Sequence, residues 1–279
     1  MANFAPVQSH RRLASWLDSQ AGRRTLAQEG PRLAEVARRF HGDTLLWLGC
    51  HQLVAETVRG CMVRHRFYAS PDPIFEVPAG TVGMCCEPDA LPARNNAFDA
   101  VVLHHALERA RDPRTALREV ARVLTPGGRL LICGFNPLSL LGGRVLYARL
   151  RRDDFSDLHS ISVPRLRDWL ALLQLEVDAP VRYLAYSLPF NTGSDSRAAR
   201  ALGSRLQRLQ PGFGGVYVVS AVKQAMALRP RWRRAEAPEP RLAGAAYPTA
   251  RTAGQSAALA DSRAQVLPFD GRRDIARPR

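Results

Sequence analysis

One lysine, Lys223, stands among 40 basic residues, so the positive charge of this 279-residue chain is almost entirely arginine. Genome composition produces such a bias. The functional alternative is a surface of planar, permanently charged guanidinium groups that grips phosphates or acidic partners. No apolar run approaches the roughly 20 residues of a membrane-spanning helix, which excludes a span of that kind. Residues 1–12 lack the apolar stretch and small-residue cleavage site of a secretory signal, and none is expected there. Cysteine is scarce: Cys50, Cys61, Cys85, Cys86 and Cys133 are odd in number, two are adjacent, and no C-x-x-C occurs. A disulfide framework and a zinc site are therefore both unexpected, and the pattern suits a cytoplasmic chain with mostly buried thiols. Internal repeats are absent. What is present is enough apolar material for a core, at 46% hydrophobic and 23% charged residues. At about 150 residues per domain, the length allows one large domain with extensions or two small ones.

The net charge of +15 is unevenly spread, since residues 224–279 hold 11 Arg against 5 acids. That stretch is also rich in Ala and Pro and has no sustained periodicity, so a disordered tail is expected. Residues 1–40 read as a helical extension. Leu33, Val36, Ala37 and Phe40 make one amphipathic stripe, with Pro31 suited to its first turn. Leu13, Trp16 and Leu17 make an earlier stripe ending near Gly22.

From Thr44 the texture becomes that of alternating strands and helices. Strands are expected at 44–48, 63–69, 81–86, 98–105 and 129–135. Short continuous apolar runs of this kind suit a parallel sheet covered on both faces. Asp112-Pro113 opens a helix with an Asp cap and a Pro at its first position. Leu117, Val120, Ala121 and Leu124 form its stripe, and Thr125-Pro126-Gly127-Gly128 stops it. A further helix is expected at 164–175, with Leu166, Trp169, Leu170 and Leu173 on one face. Residues 177–186 and 216–223 read as strands, and 191–215 as a loop with a short helix. The fold class is α/β, with a doubly wound and mainly parallel sheet over 41–223. Its ligand site belongs at the carboxyl ends of the strands.

Residues 89–137 carry Leu91-Pro92, Phe98-Asp99, the stretch His104-His105-x-Leu107-Glu108, Arg118-Glu119, and Arg122-Val123-Leu124-x-Pro126-Gly127-Gly128. In this order and spacing they resemble the class I S-adenosylmethionine-dependent methyltransferases, in the large subgroup called type 11. The resemblance is close over about residues 44–135. It implies a Rossmann-like sheet whose last strand, 216–223, runs antiparallel, and S-adenosylmethionine as cofactor.

The family's glycine-rich loop, usually Leu-Gly-Cys-Gly-x-Gly, is here Leu48-Gly49-Cys50-His51-Gln52-Leu53. Gly49 and Cys50 match, whereas His51 and Leu53 replace the next two glycines. His51 is either a space-filling residue at a helix start or part of a substituted cofactor loop. The family's ribose-binding acid at the end of the second strand aligns with Tyr68, so that acid is missing unless Asp72 swings in. The crossover after it is short for a helix. The acid four residues before Leu91-Pro92, near the adenine amino group in the family, is Glu87, with Asp89 a neighbouring candidate. His104 and His105 end the fourth strand. Alternation of side chains along a strand puts only one of them in the cleft, to line the cofactor pocket or act as a base. The pair lacks a third ligand at suitable spacing, so no metal is expected. Glu108, Arg109 and Arg111 read as a solvated helix start. Asn136 either orients an acceptor or makes a turn hydrogen bond.

No catalytic residue is named, because methyl transfer asks mainly for in-line alignment and exclusion of water. Three functions remain open. The first is a methyltransferase acting on a small molecule. The second is a non-catalytic methyltransferase-fold binding or scaffold protein. The third is an RNA methyltransferase, with the basic tail able to bind nucleic acid weakly and without sequence preference.

Overall fold

The computed structural model describes residues 5–50, 53–139, 142–143, 158–184, 212 and 214–224. The tail expected at 224–279 lies outside them beyond Gln224, as does most of the loop expected at 191–215. No helix among the described residues is long and apolar enough to cross a membrane.

Two helices come first, α1 (Ala5–Asp18) and α2 (Gln20–Ala37). The break between them is Ser19, whose Oγ accepts a hydrogen bond from Gly22 N at 3.3 Å. Gly22 and Pro31 were expected to end one helix and begin the next, but both lie inside α2. Gly22 has a packing role: a Cβ there would sit 2.3 Å from Trp16 O, so glycine permits the tight turn from α1 into α2.

The remaining elements, in chain order, are β1 (His41–Gly49), α3 (Val54–Val58), β2 (Met62–Ser70), β3 (Val82–Cys85), β4 (Phe98–His104), α4 (Pro113–Val123), β5 (Leu124–Phe135), α5 (Val163–Leu172), β6 (Leu175–Val177), β7 (Arg182–Leu184) and β8 (Val216–Lys223). They form one sheet in the order β3-β2-β1-β4-β5-β8-β6, with β7 also paired to β8. The first five strands are parallel. β8 runs antiparallel to β5, as the family resemblance implies. Residues 71–81 contain no helix, so the crossover from β2 to β3 is indeed short.

Alternate residues of the central strands feed two cores. Leu45, Trp47, Val102, Leu131 and Cys133 face α1, α2 and α3. Leu46, Leu48, Val101, Leu103, Leu130 and Ile132 face α4 and α5. This is why the strands read as continuous apolar runs.

Among the boundaries that differ from the sequence reading, three have a local cause. β5 begins at Leu124 instead of Arg129, because Leu124 already pairs with Phe98 and the Thr-Pro-Gly-Gly stretch is absorbed as an irregularity before Arg129 meets Ala100. α5 ends at Leu172 because Gln174 takes a left-handed φ of 59°. The single strand expected at 177–186 is two short ones, β6 and β7, separated at Asp178-Ala179-Pro180, where proline has no N–H for the ladder. Residues 185–186 fall outside the described residues.

Family motifs do scaffold work here. Asp99 Oδ2 accepts from Asp43 N at 2.7 Å and Thr44 N at 3.0 Å, locking the start of β1 to β4. Glu119 and Arg122 of α4 clamp the Leu-Pro segment: Leu91 N donates to Glu119 Oε2 at 3.1 Å, and Arg122 donates to Leu91 O and Ala93 O at 3.0 and 2.7 Å. Lys223, the single lysine, donates to Ala121 O and Leu124 O at 2.7 and 2.6 Å, placing a cation at the carboxyl end of α4.

Asp112 caps α4 as read from the sequence, accepting from Arg114 N at 2.9 Å and from Thr115 Oγ1 at 2.7 Å. Asp112→Ala is expected to cost about 1 kcal/mol. In thermal denaturation that is a fall of about 2–4 °C. An unchanged melting temperature would show that water replaces the cap at no cost.

Candidate functional site

Right-handed crossovers put the site at the carboxyl ends of β1, β2 and β4, beside β5, and α1 and α2 cover these ends. Trp16 of α1 packs edge-on against Phe135 of β5 at 5.8 Å. Arg11 of α1 donates to Asp72 from Nε at 2.6 Å and from Nη2 at 2.9 Å. Asp72 also accepts from Ile74 N at 3.0 Å, so it is held in place and does not swing toward a ribose.

The first glycine of the loop, Gly49, has φ 121°, and a Cβ there would lie 2.0 Å from His104 O. Cys50 N donates to the same oxygen at 3.1 Å, drawing the end of β1 onto β4. Cys50 is buried, and burial raises its thiol. Its carbonyl accepts from Trp47 Nε1 at 2.8 Å. Leu53, at the third glycine position, is buried in the core beside α2. His51 lies outside the described residues.

Tyr68, at the position of the ribose acid, is fully buried and donates its hydroxyl to Gly49 O at 3.0 Å. Its ring packs on Phe75 at 5.5 Å, and burial pushes the hydroxyl well above the ordinary tyrosine range. The ribose acid is thus replaced by a ring integrated into the core.

Glu87 follows β3. Its Oε2 is buried and has no hydrogen-bond partner. Burial raises its carboxyl, Asp89 adds to the rise, and Arg111 opposes it. Asp89 is half-buried beside it. Leu91 is buried, with its backbone held by α4 as described.

His104 and His105 both turn to Glu29 of α2, at 2.9 Å and 3.2 Å from their Nε2 atoms. Strand alternation should have separated them. Instead His105 leaves β4 with φ 51°, a left-handed conformation that returns its ring beside His104 at a centroid distance of 4.8 Å. All three side chains are fully buried. Burial by itself would raise the Glu29 carboxyl, but the two imidazoles outweigh it and hold the group down at about 2. Burial lowers His104; for His105 the same effect is overcome by Glu29, which raises it.

Glu108 and Arg109, expected in solvent, are buried, while Arg111 is exposed. Glu108 Oε1 accepts from Phe135 N at 2.6 Å, and Arg109 Nε donates to His105 O at 2.7 Å. They lie in the buried turn between β4 and α4 instead of on an open helix start. Asn136 makes the turn hydrogen bond, accepting from Leu138 N at 3.1 Å while its amide donates to Gly212 O and Gly214 O.

Sequence reasoning missed Glu29 and Cys133. The available signal was a carboxylate at position 29 on the same buried face of α2 as Leu26 and Leu33.

S-adenosylmethionine fits these residues at one end. The unpartnered Oε2 of Glu87 is an acceptor for an adenine amino group. At the ribose end the fit fails, because Tyr68 offers no carboxylate and Asp72 is engaged by Arg11.

The model of a family described as "Methyltransferase domain" matches residues 70–132. The protein YafS of Escherichia coli (strain K12) is 31% identical over 191 residues, 68% of this chain and 72% of YafS. The ubiquinone/menaquinone biosynthesis C-methyltransferase UbiE of Ruegeria sp. (strain TM1040) is 28% identical over 165 residues; the match spans 57% of this chain and 58% of that protein, less than two thirds of its length. A chain from the complex of the Haloferax volcanii Trm112 methyltransferase activator with a methyltransferase shares the fold, with TM-score 0.57 and 16% identity over 80% of this chain and 99% of that one. The strand order with its antiparallel β8, the motif clamp around Leu91 and these likenesses agree, and the chain belongs to the class I S-adenosylmethionine-dependent methyltransferases.

Proposed function

We propose that this protein transfers a methyl group from S-adenosylmethionine to a small-molecule acceptor, with the adenine amino group bound at Glu87. One observation supports this above the others: a buried carboxylate oxygen without a partner, at the family's adenine position. An unpaired buried acceptor costs about 1–3 kcal/mol unless a ligand satisfies it. When bound, the cofactor supplies an already activated methyl group. The chain contributes the Glu87 acceptor, the close approach of Gly49 and Cys50 to β4, and the cover of α1 and α2, which keeps water from the strand ends. The likeness to UbiE favours a small organic acceptor over RNA.

Calorimetric titration with S-adenosylmethionine and S-adenosylhomocysteine tests the reading. A charge-assisted hydrogen bond from the adenine amino group contributes roughly 1.5–3 kcal/mol. Glu87→Ala is therefore expected to weaken binding about 10- to 150-fold. Its melting temperature should not fall, since Oε2 of Glu87 makes no hydrogen bond that the fold would lose. Unchanged affinity would reject Glu87. A second reading, a non-catalytic binding or scaffold protein, is favoured by Tyr68 and by the Arg11–Asp72 pair. Failure of the unmutated chain to bind either compound selects it.

A further inference from the structure

Four side chains from three separate parts of the sequence meet at the carboxyl ends of β4 and β5: Glu29 of α2, His104 and its neighbour His105, and Cys133 of β5. One donor atom from each lies within 4.8 Å of each of the others, and all four residues are buried. Tetrahedral zinc, with bonds of about 2.0–2.3 Å, holds its donors roughly 3.3–3.8 Å apart, so a contraction of about 1 Å closes the set. One sulfur, two imidazoles and one carboxylate are donors that zinc prefers. The charges also close. A thiolate and a carboxylate together balance one divalent cation, so the complex adds no net charge to the interior.

Surrounding contacts have the character of a metal site. His104 Nδ1 faces Cys50 O at 3.3 Å, which orients the ring and presents Nε2 to Glu29. His105 Nδ1 lies 3.5 Å from Glu108 Oε1. That nitrogen has no hydrogen-bond partner although its ring is fully buried, and Glu108 Oε2 is also unpartnered. Hydrogen bonding within the protein therefore leaves two buried polar atoms at the edge of the cluster without partners. The left-handed backbone of His105, sparsely populated for a non-glycine residue, is the conformation that brings the second imidazole to the cluster.

The geometry points to a structural zinc site formed by Glu29, His104, His105 and Cys133, which clasps α2 to the sheet. Four protein ligands and full burial leave no open position, as in closed structural sites. Binding forms bonds to the four donors and releases two protons to solvent, that of the Cys133 thiol and the second ring proton that Glu29 holds on His105.

The test uses the full chain, purified without chelator. Elemental analysis should find one zinc per chain. Stripping with a chelator and restoring zinc in excess should lower and then raise the melting temperature by about 8–16 °C. Cobalt(II) added to the stripped protein should give intense tetrahedral visible bands and a thiolate-to-cobalt charge-transfer band. Cys133→Ser should remove the charge-transfer band and keep the visible ones. The site is rejected if the purified chain holds no stoichiometric metal and zinc leaves its melting unchanged. It is also rejected if the charge-transfer band survives in Cys133→Ser. Should that variant fail to fold, the metal content and cobalt spectrum of the unmutated chain still decide. Neither readout depends on cofactor binding, so the site is tested apart from methyl transfer.

Discussion

Tyr68→Asp, which puts a carboxylate where the family resemblance expects a ribose-binding acid, is expected to destabilise the protein by at least about 5 kcal/mol. Removing a fully buried aromatic ring costs about 3–5 kcal/mol. The new carboxylate would stand in the space of a ring that has no solvent contact and packs on Phe75, and an unpaired buried charge adds several kcal/mol more. Against a total stability of about 5–15 kcal/mol, that leaves little margin. Tyr68→Phe is the control. It keeps the ring and removes the hydroxyl, which leaves Gly49 O without its donor and ends the contact with Ser70, a loss of about 1–3 kcal/mol. Urea denaturation of both variants, with and without S-adenosylmethionine, separates the two costs. If Tyr68→Asp melts like the unmutated chain and binds the cofactor more tightly, the ring is a removable plug and the ribose end is intact beneath it.

Gly49→Ala is expected to cost about 3–5 kcal/mol, for two separable reasons. The residue has φ 121°, which an L side chain adopts only with strain, about 1–3 kcal/mol. The added Cβ would also fall 2.0 Å from His104 O, a backbone atom that cannot rotate away. Relieving the clash means moving β1 from β4 where Cys50 N bonds to that same oxygen, and overpacking of this kind costs about 1–3 kcal/mol. Gly127→Ala isolates the first reason, since Gly127 has φ 80° and open space where a Cβ would go. At about 2–4 °C per kcal/mol, Gly49→Ala should melt several degrees below Gly127→Ala. Equal melting temperatures would show that β1 and β4 separate freely and that Gly49 serves backbone conformation alone. Because Gly49 also carries the carbonyl that Tyr68 donates to, the two variants report on one junction.

Much of this architecture is legible in local sequence because it rests on local physics. Asp112 caps α4 through its own neighbours, and the apolar runs of β1, β4, β5 and β8 announce strands covered on both faces. Ordered motifs such as Leu91-Pro92 and Glu119-x-x-Arg122 carry the family, since their spacing is that of a single clamp between a loop and a helix. Loss of the family glycines at 51 and 53 and of the ribose acid at 68 is equally visible in the chain itself. Less legible were the limits of β5 and α5, set by pairing to Phe98 and by the left-handed Gln174.

The sequence alone thus determined the fold class, the order of the parallel strands' motifs, the family and the altered cofactor loop. Tertiary structure decided what fills the strand ends. Glu29 is 75 residues from His104 and 76 from His105, a separation that no periodicity encodes. Only the packing of α2 over the sheet brings its carboxylate to them, and only the positive φ of His105 defeats strand alternation so that both rings converge. Glu108 and Arg109 look solvated in the chain because charged residues usually are. In the fold they are buried, and a buried carboxylate must then find a backbone donor such as Phe135 N.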